Sequence, residues 1–262
     1  MADLAGRTVL CVLAHPDDEA LACGGTLARL ADAGARVVIV CASRGELGSI
    51  SDPALVADRG LSAARSEELR ASARVLGAYQ VVQLDHPDGC LKWADGLERD
   101  IADVVTRYDA DAVITFDADG LYWHPDHIGV HERTTAAVAA LGPAAPALYY
   151  VSMRAGAMRA LVDAAHARGG APDGGGLWGI TPDAFGVQAP APTLSVDVGP
   201  WIERKLAAVR CHRTQLGPGS PFAWIDSGEA RRWLGHELFR RSPVAAATDG
   251  VLEPFAELGA SA

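Results

Sequence analysis

The chain has 262 residues, of which 49% are hydrophobic and 21% charged, as in a folded globular protein and unlike a disordered or fibrous one. Its formal net charge of -10 provides no basic field, so neither a nucleic acid nor a membrane is expected as a partner. Five cysteines without a CxxC pair favour free thiols, and no segment has the pattern of a secretory leader or membrane span, so we expect a cytoplasmic protein.

Short apolar runs rich in β-branched residues alternate with amphipathic segments in the first part of the chain. The predicted strands are TVLCVLA at 8–14, RVVIVCA at 36–42, QVVQL at 80–84 and AVITF at 112–116. The predicted helices cover residues 19–33, 62–76, 97–108 and 125–141. This alternation predicts an α/β fold of the Rossmann-like, three-layer type, with a mainly parallel sheet and an active site at the carboxyl ends of the strands.

The pattern loosens after residue 150. Residues 169–192 are rich in Gly and Pro and predict a long surface loop, either a lid or rim or a mobile excursion. The remaining predicted elements are a strand at 193–198 and helices at 200–213 and 229–240. We therefore expect a single domain over 1–262, with an α/β core in 1–150 and a C-terminal elaboration in 151–262.

The tripeptide His-Pro-Asp occurs three times, and each copy follows a predicted strand. The copies begin at His15, His86 and His124, after the first, third and fourth strands. Because ligands of open α/β sheets gather outside the carboxyl ends of the strands, all three copies are predicted to face one pocket.

Two of the copies have the spacing of a metal site. His15 and Asp18 lie three residues apart across a strand-to-helix turn, and His127 closes the third copy at the start of another helix. Two imidazoles and one carboxylate leave coordination positions open, the arrangement with which catalytic zinc holds and acidifies a water. The same donors accept iron or cobalt. The alternative is that these side chains cap helices and hydrogen-bond internally.

Candidate catalytic groups flank the predicted ligands. Asp17 is placed to act as a general base beside the metal water, or to cap a helix. His124 is suited to stabilise an oxyanion or protonate a leaving amine, with Asp126 close enough to fix its tautomer or raise its pKa; its alternative is a structural histidine. Tyr122 offers a phenol to the same charge, or packs as a rim aromatic.

Other polar residues have less specific patterns. In the middle copy, Asp88 is predicted to point at substrate hydroxyls or to form a plain turn. Arg65 is suited to hold sugar hydroxyls or a carboxylate, or to pair with a nearby glutamate. Glu19 is interpreted as serving the helix dipole or orienting a ligand. His212 either reaches the pocket or, more simply, forms a basic helix C-terminal cap. Gly24-Gly25 lies outside any GxGxxG fingerprint, which excludes a dinucleotide site there.

These motifs resemble those of the LmbE-like, or PIG-L, zinc-dependent N-deacetylases, including the mycothiol-pathway deacetylases. The similar segments, within residues 8–215, are AHPDDE, SRGELG, ARSEELRASARVLG, HPDG, YWHPDH and WIERKLAAVRCHRTQ. The resemblance implies hydrolysis of the N-acetyl group of a small amino-sugar conjugate, with Zn²⁺ as cofactor.

The resemblance also implies roles for individual residues. The implied metal ligands are His15, Asp18 and His127; the general base is Asp17; the charge-stabilising histidine is His124, with Asp126 behind it; the residue near the substrate carbonyl is Tyr122; and the sugar-contacting residues are Arg65 and Asp88. Trp123 stands where such enzymes carry a small residue, and its bulk would narrow the pocket or stack on a sugar face.

Two other functions stay open on the sequence. One is an amidase that cleaves a thiol-conjugated pseudodisaccharide, and the other is a sugar-binding protein with a vestigial metal site. The intact Asp17 and His124 count against the binding protein. The sequence is compatible with either a monomer or a homo-oligomer.

Overall fold

The computed structural model describes residues 3–170, 177, 179–186, 190–217, 219–244 and 250–258. The strands in these ranges are β1 (Thr8–Leu13), β2 (Arg36–Cys41), β3 (Gln80–Gln83), β4 (Ala112–Phe116), β5 (Ala147–Ser152), β6 (Leu194–Asp197), β7 (His236–Arg241) and β8 (Ala256–Leu258). The helices are α1 (Asp18–Asp32), α2 (Gly60–Leu76), α3 (Leu97–Tyr108), α4 (Gly120–Trp123), α5 (Pro125–Ala140), α6 (Ala157–Ala167), α7 (Ile202–Val209) and α8 (Ser227–Leu234).

The first five strands form the parallel part of the sheet. Across the whole sheet, the order of the described strands is β3-β2-β1-β4-β5-β7-β6-β8. β1 lies between β2 and β4, and all its residues are buried, because helices cover both faces of the sheet. The strand order reverses between β1 and β4, which makes the crevice above these two strands the expected place for a ligand. The predicted α/β fold with a mainly parallel sheet is confirmed.

Antiparallel strands extend the sheet beyond β5. β7 pairs with β5 on one side and with β6 on the other, and β8 pairs with the free side of β6. The predicted strand at 193–198 corresponds to β6. The predicted helix at 229–240 is wrong in its second half, because α8 ends at Leu234 and β7 begins two residues later. Hydrogen bonding on both sides of β7 outweighs the helical pattern of that segment.

The predicted loop at 169–192 has two described features near the site. A 3-10 turn covers Pro182–Ala184, and the buried Phe185 follows it. Residues 171–176, 178 and 187–189 of that prediction lie outside the described residues. Among the helices that the structure describes, none is both long and apolar enough to span a bilayer.

Helix α1 is broken near its middle. Cys23 has non-helical backbone angles (φ -145°, ψ 21°), so the helix continues as a second segment from Gly24. A β-carbon on Gly25 would lie 2.5 Å from Cβ of Val198, which precedes α7, so glycine permits this close packing. The Gly-Gly pair therefore serves the packing of α1 against the C-terminal part of the chain.

A buried ion pair holds the second segment of α1. The Glu237 carboxylate accepts the backbone N–H groups of Gly25 (2.9 Å) and Thr26 (2.7 Å), which open that segment. The same carboxylate accepts from Nζ of Lys205 at 2.7 Å, and both charged side chains are 2% exposed. The Glu237 carboxylate is thus stabilised both by the N-terminus of the second α1 segment and by the Lys205 cation.

Replacing Lys205 with Met is expected to lower the free energy of unfolding by about 3 to 5 kcal/mol, because it leaves the Glu237 carboxylate charged, buried and without a cation. Urea unfolding followed by circular dichroism measures this loss. Arg59→Met is the control, since Arg59 pairs with Glu67 at the surface, and its loss is expected to stay below about 1 kcal/mol. Equal, small losses in both variants would contradict the prediction.

Candidate active site

A cavity of about 340 Å³ opens above β1 and β4, at the carboxyl end of the parallel strands. The loops that follow β1, β2, β3 and β4 all contribute to its walls, as does the segment after α7. The polar side chains that carry chemistry in these walls are His15, Asp17, Asp18, Arg65, Asp88, Tyr122, His124 and His212. The structure thus brings most of the predicted site residues to one place.

The three predicted metal ligands converge. His127 Nε2 lies 3.3 Å from Nδ1 of His15 and 3.2 Å from Oδ1 of Asp18, while Oδ2 of Asp18 lies 3.5 Å from the same His15 nitrogen. All three residues are buried. Burial opposes ionisation of Asp18, but the neighbouring His127 and His15 hold the pKa of its carboxyl well below its usual range.

The partners of the two imidazoles favour one assignment of the ring protons. His127 Nδ1 lies 3.1 Å from the carbonyl oxygen of Gly120, and His15 Nε2 lies 3.0 Å from Asp88 and 3.2 Å from Asp126. If these nitrogens donate, the lone pairs of the other two ring nitrogens face each other and the Asp18 carboxylate. These two lone pairs and the carboxylate repel one another unless a cation lies between them. The donors therefore fit a divalent metal ion.

The second and third His-Pro-Asp copies support the histidine of the first. Asp126 accepts the backbone N–H groups of Gly89 (2.7 Å) and Leu91 (2.9 Å) and contacts His15, so its carboxylate lies on His15 and not behind His124. Asp88 also contacts His15, and it accepts the N–H of Leu47 at 2.8 Å.

The carboxylate of Asp88 is engaged within the protein at both oxygens. Although burial opposes it, the hydrogen bond to His15 lowers the pKa of Asp88 to about 2. Asp88 lines the cavity as predicted, but its observed partners are protein groups, so it acts in the structure as an anchor for His15 and for the loop after β2.

Asp17 stands at the start of α1 in a backbone conformation that is rare for a residue with a side chain (φ 133°, ψ -25°). It occupies the N-cap position, yet its side chain makes no capping hydrogen bond. Instead its Oδ2 accepts from Arg65 at 3.1 Å. Burial raises the pKa of Asp17 to about 6, against the lowering effect of Arg65. A carboxylate in this state is suited to take up and release a proton.

Arg65 is buried and binds three groups of the site. It donates to the carbonyl oxygens of Gly45 (2.8 Å) and Pro16 (2.7 Å) as well as to Asp17. Arg65 lines the cavity, as a sugar-contacting residue would, and its terminal nitrogens hold the general-base candidate and the adjoining loop in place.

His124 and Tyr122 form the opposite side of the site. His124 Nδ1 accepts the backbone N–H of Asp126 at 3.2 Å, so the backbone, and not the Asp126 carboxylate, sets its tautomer. Burial and the neighbouring His127 and His15 lower the pKa of His124 to about 4, and they outweigh Asp126, which raises it. The imidazole is therefore neutral at neutral pH. The Tyr122 ring meets His127 edge-on at 5.2 Å and packs on Phe185.

Trp123 does not belong to the cavity walls, contrary to the expectation that it narrows the pocket. Its side chain is 50% exposed and its φ is 67°, whereas its neighbours Tyr122 and His124 do line the cavity.

Sequence reasoning missed a buried cluster behind Asp17. Glu19 accepts the backbone N–H of Asp17 (3.1 Å), the hydroxyl of Ser72 (2.5 Å) and Nε2 of His212 (2.8 Å), and it is 1% exposed. His212 thus reaches the site and does not simply cap its helix. Glu19 thus supports the unusual backbone of Asp17, and it is itself held by His212, which lies 193 residues later in the chain. The sequence signal for this cluster was His212 itself, which lies in the segment WIERKLAAVRCHRTQ that resembles the family.

Comparisons with known proteins identify the family of this chain. The profile of the family described as PIG-L, GlcNAc-PI de-N-acetylase, matches residues 10–138. The 1D-myo-inositol 2-acetamido-2-deoxy-alpha-D-glucopyranoside deacetylase of Actinosynnema mirum is 33% identical over 277 residues, covering 88% of this chain and 90% of that protein.

Solved structures share the fold. The N,N'-diacetylchitobiose deacetylase from Pyrococcus horikoshii is similar with a TM-score of 0.60 at 22% identity, covering 91% of this chain and 84% of that one. The 4-carboxy-2-hydroxymuconate hydratase from Pseudomonas putida KT2440 also has a TM-score of 0.60, at 20% identity and with 94% and 99% covered. Because such different enzymes share it, the fold alone does not decide the reaction.

Proposed function

Because the chain belongs to the PIG-L family of GlcNAc-PI de-N-acetylases, we propose that it hydrolyses the N-acetyl group of an amino-sugar conjugate, releasing acetate and a free amine. The observation that carries this proposal is a partly buried carboxylate, Asp17, directly beside the convergent donors of His15, Asp18 and His127 in one cavity. The free thiols of all five cysteines suit the reducing environment of the cytoplasm, where we place the enzyme.

His15 Nδ1, the Asp18 carboxylate and His127 Nε2 are the groups that would hold the metal. Two imidazoles and one carboxylate suit Zn²⁺, and they also accept iron or cobalt. When bound, such a cation acidifies a water and polarises the carbonyl of the acetamide.

The protein's own groups move the protons. Arg65 holds Oδ2 of Asp17, and Oδ1 of that carboxylate takes a proton from the attacking water. The neutral His124 donates its Nε2–H, and Tyr122 its phenol O–H, to the oxygen that becomes negative. Burial raises the pKa of Tyr122 well above its ordinary value, so the phenol keeps its proton. Asp17 then returns its proton to the nitrogen of the leaving amine as the C–N bond breaks.

The test is release of primary amine from free N-acetylglucosamine, an inositol-linked N-acetylglucosaminide and an alkyl N-acetylglucosaminide, each with and without a chelator. We expect release that the chelator abolishes and that added Zn²⁺ restores. Protein that holds metal but releases no amine from any acetamido sugar would refute the proposal. Release only from a thiol-conjugated amide would favour an amidase.

Replacing His212 with Leu is expected to lower kcat by about ten- to a hundredfold with bound metal unchanged, because Glu19, which supports the Asp17 backbone, loses one of its three donors. The matched variant His212→Gln keeps an N–H that can reach Glu19 and is expected to retain most of the rate. Steady-state kinetics and metal analysis of both variants make the comparison. Equal losses of rate in the two variants would contradict a positioning role.

A further inference from the structure

The cavity has an apolar wall in addition to its polar one. The apolar side chains that line it are Leu21, Leu47, Ile180, Val209, Leu216 and Phe222. Leu21 stands one turn beyond Asp17 on α1, and its backbone N–H bonds to the Asp17 carbonyl oxygen at 3.2 Å. The apolar wall therefore begins at the reacting centre.

The wall continues into the C-terminal part of the chain. Val209 ends α7, Leu216 follows it, and Phe222 belongs to a 3-10 turn, Pro221–Ala223. Phe222 and Val209 are buried in the protein core, which fixes this side of the cavity. A rigid apolar surface of this kind favours the binding of hydrocarbon.

Large apolar side chains are also exposed at the mouth. Leu47 is 72% exposed, and Ile50, next to the cavity-lining Ser49, is 45% exposed. The backbone N–H of Leu47 is held by Asp88, so its position is defined by the site itself. An apolar side chain gains free energy when a ligand covers it, because its surface then leaves water.

Several polar groups of the cavity already have protein partners. Both oxygens of Asp88 are engaged, the terminal nitrogens of Arg65 hold backbone carbonyls and Asp17, and Nε2 of His212 is bound to Glu19. A polyhydroxylated aglycone placed against the apolar wall would lose hydrogen bonds to water without gaining equivalent ones. A hydrocarbon has no such cost.

We propose that this apolar wall, with Leu47 at its mouth, binds a hydrocarbon aglycone carried by the amino sugar, an inference that rests on the proposed deacetylation. The sugar then presents its acetamido group to Asp17 and His124, while the aglycone covers Leu21, Leu216 and Leu47.

The experiment compares kcat/KM for the n-hexyl, methyl and inositol glycosides of N-acetylglucosamine. The hexyl glycoside is expected to exceed both others by about tenfold or more, as burial of several methylene groups predicts. Leu47→Gln is expected to reduce the hexyl-to-methyl ratio by about fivefold to tenfold. Tyr79→Ser is the control; Tyr79 is 61% exposed at the amino end of β3, far from the carboxyl-end cavity, and its loss is expected to leave the ratio unchanged.

The outcomes separate the two proposals. Turnover of the inositol glycoside as fast as the hexyl glycoside, or a hexyl-to-methyl ratio that Leu47→Gln does not move, would overturn the apolar aglycone while deacetylation stands. Release of amine from none of the three glycosides would overturn the proposed function, and the aglycone class with it.

Discussion

Asp17→Asn is expected to lower kcat by a factor of about 10² to 10⁴ while the protein keeps its bound metal. The amide has the size of the carboxylate and can still accept the hydrogen bond that Arg65 donates at 3.1 Å, so the local geometry is preserved. It cannot take a proton from water, and it cannot deliver one to the leaving amine. One substitution therefore removes the group that carries the proton in both transfers.

The measurements for Asp17→Asn are steady-state amine release and metal content per chain. Glu67→Gln, a change of the same chemistry on a side chain that is 58% exposed, serves as the matched control and is expected to have the parent rate. If the Asp17 variant also keeps the parent rate, Asp17 is not the base. If it loses metal, the loss of rate has a different cause.

His127→Ala is expected to weaken metal binding by more than about 100-fold and to remove turnover with it. His127 is fully buried, and its Nε2 lies within 3.3 Å of the donor atoms of both His15 and Asp18, so its loss removes a central member of the donor set. The two remaining donors are too few for a catalytic site, which uses three protein ligands. Metal analysis after dialysis and amine release with added Zn²⁺ measure the two losses.

His131→Ala is the control on the same helix. His131 lies one turn after His127 on α5, and its Nδ1 donates to the carbonyl oxygen of Phe116 at 2.8 Å, outside the donor cluster. This variant is expected to hold metal as the parent protein does. Equal metal affinity in the two variants would remove His127 from the ligand set.

The position of the site could be predicted because it depends on topology. Parallel strands bring the residues that follow them to one edge of the sheet, and the structure accordingly brings His15, Asp88 and His124 into one cavity. The three His-Pro-Asp copies are parts of one arrangement, since Asp88 and Asp126, from the later copies, both contact His15 of the first.

The partners of individual side chains could not be predicted because they depend on directions that spacing does not set. Asp126 is two residues from His124, yet its carboxylate lies on His15, 111 residues away. Trp123 is half exposed and is not among the residues that line the cavity, and it lies in α4, where three successive residues have irregular backbone angles. The contact of Glu19 with His212 depends on the packing of α1 against α7, which no local pattern encodes.

The broken helix α1 has a consequence for any attempt to divide this enzyme. The proposed ligands and base all lie within the first 127 residues, but the second segment of α1 begins against Glu237 and Lys205, and Glu19 depends on His212. A fragment that stops after β5 would carry the complete set of reacting groups on a helix with an exposed internal break and an unsupported base. Residues 1–150 are therefore not expected to form a working active site by themselves. Moving the motifs into another scaffold would also require Lys205, His212 and Glu237, which hold α1 and Glu19 in place.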